Sequence, residues 1–255
     1  MEYSKIHKFS WPLFAALCLH FSFFLTGYIQ EDAFITFRTG FNLADHGVYS
    51  FNVNESYPGA TSLMYGFYTA GIRFIFGDFS IPIINLFNII YSLVAGLLLF
   101  SSAKNLSIVK SSTKPFTEST MLFAATASPP ILAVGSSGME TAILLLMMSA
   151  ALFSISKNKY LPAGLILGVL PFARIDAIAF SLVCTFVIAT YDKKTAAKFL
   201  LFIGLGLSAL YISNVAVFGQ FIPLTMEAKN LAYSPERDII SVMSRLWNVF
   251  FSASF

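Results

Sequence analysis

Charge is scarce in this sequence: Asp, Glu, Lys and Arg make up 11% of the 255 residues, against 56% hydrophobic residues. With a mean hydropathy of +0.73, that balance excludes an ordinary soluble domain, in which about a quarter of residues carry charge, and describes an integral membrane protein. The 16 Lys and Arg exceed the 13 Asp and Glu by only 3 and are scattered, so the chain has no basic footprint for nucleic acid. Cys18 and Cys184 both lie in apolar runs, where a thiol behaves as a small hydrophobe; a disulfide framework and a cysteine metal knuckle are excluded. His7, His20 and His46 lack metal-ligand spacing, and His20, inside an apolar run, reads as a packed residue. A Gly-rich phosphate loop, a Ser-His-Asp set and an inverted repeat are also missing.

What the chain does have is a succession of apolar runs, at about 10–29, 63–76, 81–101, 119–134, 141–156, 161–172, 177–191 and 199–218. A bilayer core of about 30 Å takes roughly 20 apolar residues per helix. The run at 63–76 is short, carries Arg73 and several aromatics, and suits an interfacial helix. The first run has a basic start but no small-x-small cleavage site after it, so it reads as a retained helix. Seven spans and a cytoplasmic N-terminus then follow. That topology puts Lys5, Lys8, Lys104, Lys110, Lys114, Lys157, Lys159, Lys193, Lys194 and Lys198 inside, and Arg38, Arg73, Arg174, Lys229, Arg237 and Arg245 outside, as the positive-inside rule requires. Most acids fall outside. The fold expected is all-α, a polytopic membrane helix bundle with interfacial helices in its first outer loop.

That loop, residues 30–62, is the longest polar segment, and it opens on Glu31 and Asp32. Phe34, Phe37, Phe41 and Ala44 recur at helical spacing behind them, so a surface helix is predicted, ended by Gly47. An extended piece at 49–53 and a turn at Pro58-Gly59 come next, before Thr61 or Ser62 caps the interfacial helix. A helix N-terminus favours acids, which is a structural explanation for Glu31 and Asp32 standing beside the catalytic one. Glu140 in GSSGMET is explained equally well by capping and by function. Arg174 and Asp176 in PFARIDA interrupt an apolar hairpin; they make either a mutual pair at a tight turn or an anion site, since guanidinium grips phosphate bidentately. Lys229 in GQFIPLTMEAKN is a second phosphate contact or an interfacial anchor.

The segments EDAFITFRTGFNLADHGVYSFN, GATS, GMET, ARIDA and GQFIPLTMEAK, in this order along nearly the whole chain, resemble bacterial GT-C-type membrane glycosyltransferases, in particular the branch with the mycobacterial arabinofuranosyltransferases and mannosyltransferase-like envelope enzymes. The resemblance implies a polyprenyl-phosphate-linked sugar as donor and a cell-envelope glycan or lipid as acceptor. It places the active face outside a bacterial cytoplasmic membrane. Matched position by position, Glu31 and Asp32 fall on the family's acidic pair, which holds the catalytic base, Arg38 on its loop arginine, Arg174 and Asp176 on its RPDA junction and Lys229 on the lysine of its last motif. The chemistry then assigns the donor phosphate to Arg174 with Arg38 or Lys229, and a supporting role to Asp176 and Glu140. Ile175, Leu224 and Thr39-Gly40 depart from the family pattern, which bears on specificity. A divalent metal is admitted if Glu31, Asp32 and Asp176 fold together. Residues 1–234 form the GT-C-like module on this reading, and 235–255 begin a further span or an interfacial helix, the family's C-terminal half being missing. A shortened, non-catalytic relative that binds polyprenyl phosphate, and a multi-span transporter or lipid flippase, are the rival readings.

Overall fold

In the computed structural model residues 3–54, 59, 60, 62–109 and 114–219 are described, and every regular element among them is a helix. The fold is all-α. Lys229, Lys110, Thr61 and the segment 235–255 lie outside the described residues. The elements are α1 (Tyr3–Leu25), α2 (Glu31–His46), α3 (Leu63–Phe76), α4 (Ser80–Asn105), α5 (Pro115–Ala127), α6 (Pro129–Ser136), α7 (Thr141–Ser156), α8 (Tyr160–Ala173), α9 (Ile178–Ala189) and α10 (Lys193–Phe218), with 3₁₀ turns at Gly77–Phe79 and Ile175–Ala177.

Several expected boundaries are met, each for a local reason. Gly47 ends α2 in the left-handed region at φ 71°, its N–H reaching the carbonyls of Asn42 and Leu43, a conformation that costs glycine nothing. Ser62 caps α3 by accepting from the Tyr65 N–H. Two expectations fail. The run at 119–134 is two helices, because Pro129 and Pro130 lack N–H groups, so the chain turns extended at Ser128 and restarts as α6. Residues 49–53 form no strand: the Ser50 N–H bonds back to Val48 and the Asn42 amide spans the carbonyls of Ser50 and Phe51, curling the segment onto α2. In α2 itself the buried face is Ala33, Thr36, Phe37, Thr39 and Gly40, one step off the predicted aromatic stripe, and Phe34 stays exposed.

The central helix is α4, which packs on α3, α5, α6 and α7; α8 joins α7 to α10, and α10 carries α9. Its buried side mixes polar and small residues, Asn85, Asn88, Ser92, Ala95 and Gly96, with Ile84, Ile89 and Phe100, while Leu86, Ile90 and Val94 face outward. Elsewhere buried apolar clusters, such as Leu167, Leu170 and Phe199, stand beside exposed large apolar residues and buried polar ones. Phe14 is 69% exposed, Phe186 73% and Ile212 68%, whereas His20, Thr126, Ser149, Ser181 and Asn214 are buried. Small residues let backbones meet: a Cβ on Gly168 of α8 would stand 2.6 Å from the Phe202 carbonyl oxygen of α10, and one on Gly206 would overlap the Gly168 carbonyl. Two helical stretches among the described residues, Leu63–Asn105 and Lys193–Phe218, are long and apolar enough to cross a membrane by length and composition; the other apolar helices are shorter.

Contacts fix which junctions share an end. Arg174 meets Glu140, Ser62 meets Ala173 and Gln30 meets Ser137 at one end; Lys104 meets Glu118 and Asn105 meets Ser156 at the other. The helix α3 stays at the first end. It starts beside Ala173, and α4, which follows it after the Gly77–Phe79 turn, reaches the Met139 carbonyl with Asn88, only eight residues into its length.

Glycines on one helix provide a test of the α8–α10 approach. Gly206→Ala should destabilise the fold by roughly 1–3 kcal/mol through overpacking, whereas Gly204→Ala, where a Cβ meets nothing within 4 Å, should be neutral or stabilising by up to about 1 kcal/mol. Unfolding midpoints of the two variants check this, and equal midpoints would refute the close approach.

Candidate functional site

Four sequence segments far apart in the chain converge at one end of the bundle. The first is the start of α2. Its N-cap, Gln30, donates its backbone N–H to the Ser137 carbonyl at 2.9 Å, which seats the helix on the junction between α6 and α7. Gly138 in that junction has φ +72°, and a Cβ there would stand 2.8 Å from Ile29 and against Phe37 and Ala33. Both the conformation and the space demand glycine. The junction is gripped from below as well: the Tyr65 hydroxyl donates to the Gly138 carbonyl at 2.8 Å, and the Asn88 amide donates to the Tyr65 hydroxyl and the Met139 carbonyl, each at 3.2 Å.

The GATS and ARIDA segments are joined directly. Ser62, having capped α3, donates its hydroxyl to the Ala173 carbonyl at 2.6 Å. Pro171 lacks the N–H that the Leu167 carbonyl would otherwise receive, and the Ser181 hydroxyl supplies the missing donor at 2.9 Å. This ties α9 to the end of α8. The chain then leaves α8 at Arg174 in extended conformation, φ −153° and ψ 131°, and turns through Ile175–Ala177 into α9.

This path brings Arg174, Glu140 and Asp176 into contact. The Arg174 Nη1 donates to Glu140 Oε1 at 2.8 Å, while Nε and Nη2 donate to the two Asp176 oxygens at 3.0 and 2.7 Å. Glu140 stands at the N-cap position of α7 without making a cap bond; its carboxylate serves Arg174 instead, so capping does not explain it. The Glu140 side chain is 3% exposed and that of Asp176 62%. Glu140 Oε2 is buried with no hydrogen-bond partner. The adjoining guanidinium, by hydrogen bonding and then by charge, holds the Asp176 carboxyl below its ordinary value despite partial burial, and Asp176 chiefly raises the already high value of Arg174. Burial, with Glu140 as a lesser contributor, pushes the Tyr49 hydroxyl up. Tyr49 fits because Gly66 has no side chain: a Cβ there would overlap its hydroxyl. It packs on Phe67 and Phe218 in an open groove of about 340 Å³ lined also by Leu43 and Val48.

The remaining candidates are placed differently. Glu31 and Asp32 occupy the exposed first turn of α2, where a helix N-terminus favours them, and neither has a hydrogen-bond or ion-pair partner among the described residues. Arg38 is held within its own loop, donating to Asn52 at 2.9 Å with its guanidinium 4.4 Å over the Phe51 ring. Among the described residues no three Asp, Glu, His or Cys side chains are grouped to hold a metal ion, so Glu31, Asp32 and Asp176 are not assembled as ligands. Sequence reasoning passed over Tyr65 and Asn88. The signal was there, since Asn85, Asn88 and Ser92 share one face of an apolar helix at i, i+3 and i+7, and buried amides in such a helix mark an internal polar network.

No family model matches this chain, and no similar curated protein or solved structure was found. The site therefore rests on its own geometry.

Two outcomes follow from that geometry. Arg174→Ala leaves Glu140 buried without its cation and should cost roughly 3 kcal/mol of stability; Arg174→Lys should restore less than half, having no planar fork. Denaturant unfolding of the pair measures both. Since Asp176 has a lowered folded-state value, its contribution is present above the unfolded value near about 3.9 and is lost as pH falls through the folded one. The stability gap between wild type and Asp176→Asn should be constant from about pH 5 upward and shrink only below about pH 4. A gap that closes near neutrality would show that the pair does not set it.

Proposed function

We propose that this chain is a GT-C-type membrane glycosyltransferase that moves a sugar from a polyprenyl-phosphate donor to a cell-envelope glycan or lipid acceptor on the extracytoplasmic face. The observation that carries the reading is the convergence of the start of α2, Ser62, the Gly138–Glu140 junction and the Arg174–Asp176 junction at one end of the bundle, which belong to four of the five segments that carry the family resemblance.

The membrane placement has its own support. Many large apolar side chains face outward, Phe14, Phe186 and Ile212 among them, while amides and hydroxyls such as Asn88, Asn214, Ser149 and Ser181 are buried, an arrangement suited to a hydrocarbon surround. On this reading α1, α4, α5 continued by α6, α7, α8, α9 and α10 are seven spans, and α2 and α3 lie in the interface. At 16, 14 and 12 residues, α7, α8 and α9 rise about 24, 21 and 18 Å, so the bilayer thins around them. Lys104 near the end of α4, Lys157 and Lys159 after α7, and Lys193 and Lys194 after α9 gather at the end opposite Arg174, which supports an outward Arg174 end.

A sugar phosphate leaves readily, so the chemistry needs a carboxylate to orient or deprotonate the acceptor hydroxyl and a cation to steady the phosphate. Asp32 or Glu31, exposed and without partners among the described residues, takes the first role. Arg174 takes the second, with Arg38 or Lys229 as a further cation. One direct displacement inverts the anomeric centre without a covalent sugar-enzyme species. The non-catalytic alternative, binding of polyprenyl phosphate alone, draws on one observation: both edges of the Arg174 guanidinium are already held by carboxylates. A transporter or flippase fits less well, because the ionisable groups gather at the bundle's ends and not along its length.

Sugar transfer by the purified chain from defined polyprenyl-phosphate sugars decides the matter. Glu31→Gln with Asp32→Asn should lower the rate at least about 100-fold. A double variant that transfers normally, or a wild type that binds donor and transfers nothing, would remove the catalytic reading.

A further inference from the structure

Arg174 has two carboxylate partners in very different settings. Glu140 is enclosed, and its single bond goes to Nη1. Asp176 is 62% exposed and takes the Nε and Nη2 edge with both oxygens. That side-on, two-point grip is the one a phosphate makes on a guanidinium. The exposed partner regains water on release, so the contact is weak in net terms. It belongs to the one-turn segment Ile175–Ala177, two residues from Arg174, so a side-chain rotation suffices to free the edge. Detaching Glu140 would strand a charge inside the protein. A second, independent mark of a ligand is Glu140 Oε2, an enclosed acceptor facing no donor, which calls for a hydroxyl or water beside the guanidinium.

We propose that Asp176 is a built-in competitor for the phosphate site: its carboxylate fills the side-on edge of Arg174 until a phosphodiester displaces it, while Glu140 holds the guanidinium in place. This rests on the reading of Arg174 as the donor-phosphate residue. It explains how a cation at the mouth of the bundle stays ordered without ligand. It also gives selectivity, since a ligand must outcompete a tethered carboxylate, and only an anion with two oxygens in the same plane matches that edge.

The test is equilibrium binding of a farnesyl methyl phosphodiester, with inorganic phosphate and farnesol as separate probes, to the detergent-solubilised full chain. Asp176→Asn and Asp176→Ala should each bind the diester about tenfold more tightly than wild type, a gain that misfolding cannot produce. Glu140→Gln should weaken binding, and Arg174→Lys should abolish it. Inorganic phosphate bound as tightly as the diester would overturn the assignment to a lipid-borne source. If Arg174→Lys removes binding but neither Asp176 variant tightens it, the competitor is refuted and the phosphate site stands. If Arg174→Lys binds as wild type does, the phosphate reading itself fails, and the competitor with it.

Discussion

Glu140 is the group on which the architecture of this end of the bundle depends. A carboxylate with a side chain 3% exposed persists only beside a cation, because the cost of stripping its water is several kcal/mol. Arg174 is that cation, and their contact requires the start of α7 and the end of α8 to lie side by side. Once those junctions are fixed, the others follow: the Ala173 carbonyl is presented to Ser62, which starts α3, and the Ser137 carbonyl to Gln30, which starts α2. The loop helices are therefore docked through the ends of the bundle helices, and their positions are inherited from one ion pair.

The rest of the bundle combines apolar clusters, such as Leu167, Leu170 and Phe199, with close backbone contact at small residues. Gly96 meets the Ala125 carbonyl, Gly135 meets Ser92 and His20, and Gly168 and Gly206 meet across α8 and α10. Between them run hydroxyls that return to their own helix, as Ser149 does to Leu145 and Thr126 to Leu122, so burial leaves few polar atoms bare. His20 is one of the exceptions at Nδ1, with Nε2 on the Thr126 carbonyl. Leu167, Leu170 and Phe199 fill the seam of α7, α8 and α10, but many other large apolar side chains, Phe14, Phe186 and Ile212 among them, point outward, and that is where packing meets the proposed hydrocarbon surroundings.

Helix positions were legible in the sequence wherever a local breaker or cap operates. Gly47 and Ser62 end and begin elements as expected, and α7 spans the predicted 141–156, because each boundary is set by conformation within a few residues. The double proline at 129–130 was also local, yet apolar composition masked it. What the sequence could not supply was partnership. Arg174 and Asp176 are two residues apart, so their pairing was one of two readable options, but the Glu140 contact crosses 34 residues. Nothing in GMET distinguishes a capping glutamate from an enclosed ion-pair partner. Likewise Tyr49 looked like part of an extended segment, and only the missing side chain at Gly66 lets its ring turn inward.

Six described carboxylates at this end of the bundle, Glu31, Asp32, Asp45, Asp78, Glu140 and Asp176, are nearly the same chemical group, and environment alone divides their labour. Asp45 and Asp78 are committed to Arg73 at 3.0 and 2.9 Å, and Glu140 and Asp176 to Arg174; an oxygen already accepting from a guanidinium is poorly placed to take a proton from an incoming hydroxyl. Glu31 and Asp32 lie exposed on a helix start, with that helix seated through Gln30 on Ser137, the residue before Gly138. A base must be reachable and must have oxygens to spare, and of these six only Glu31 and Asp32 are exposed with both oxygens free of a guanidinium. The cation for phosphate needs the opposite: to be held rigidly before its ligand arrives, which an enclosed glutamate does better than solvent. The division between free and committed carboxylates is thus the physical content of the proposed site.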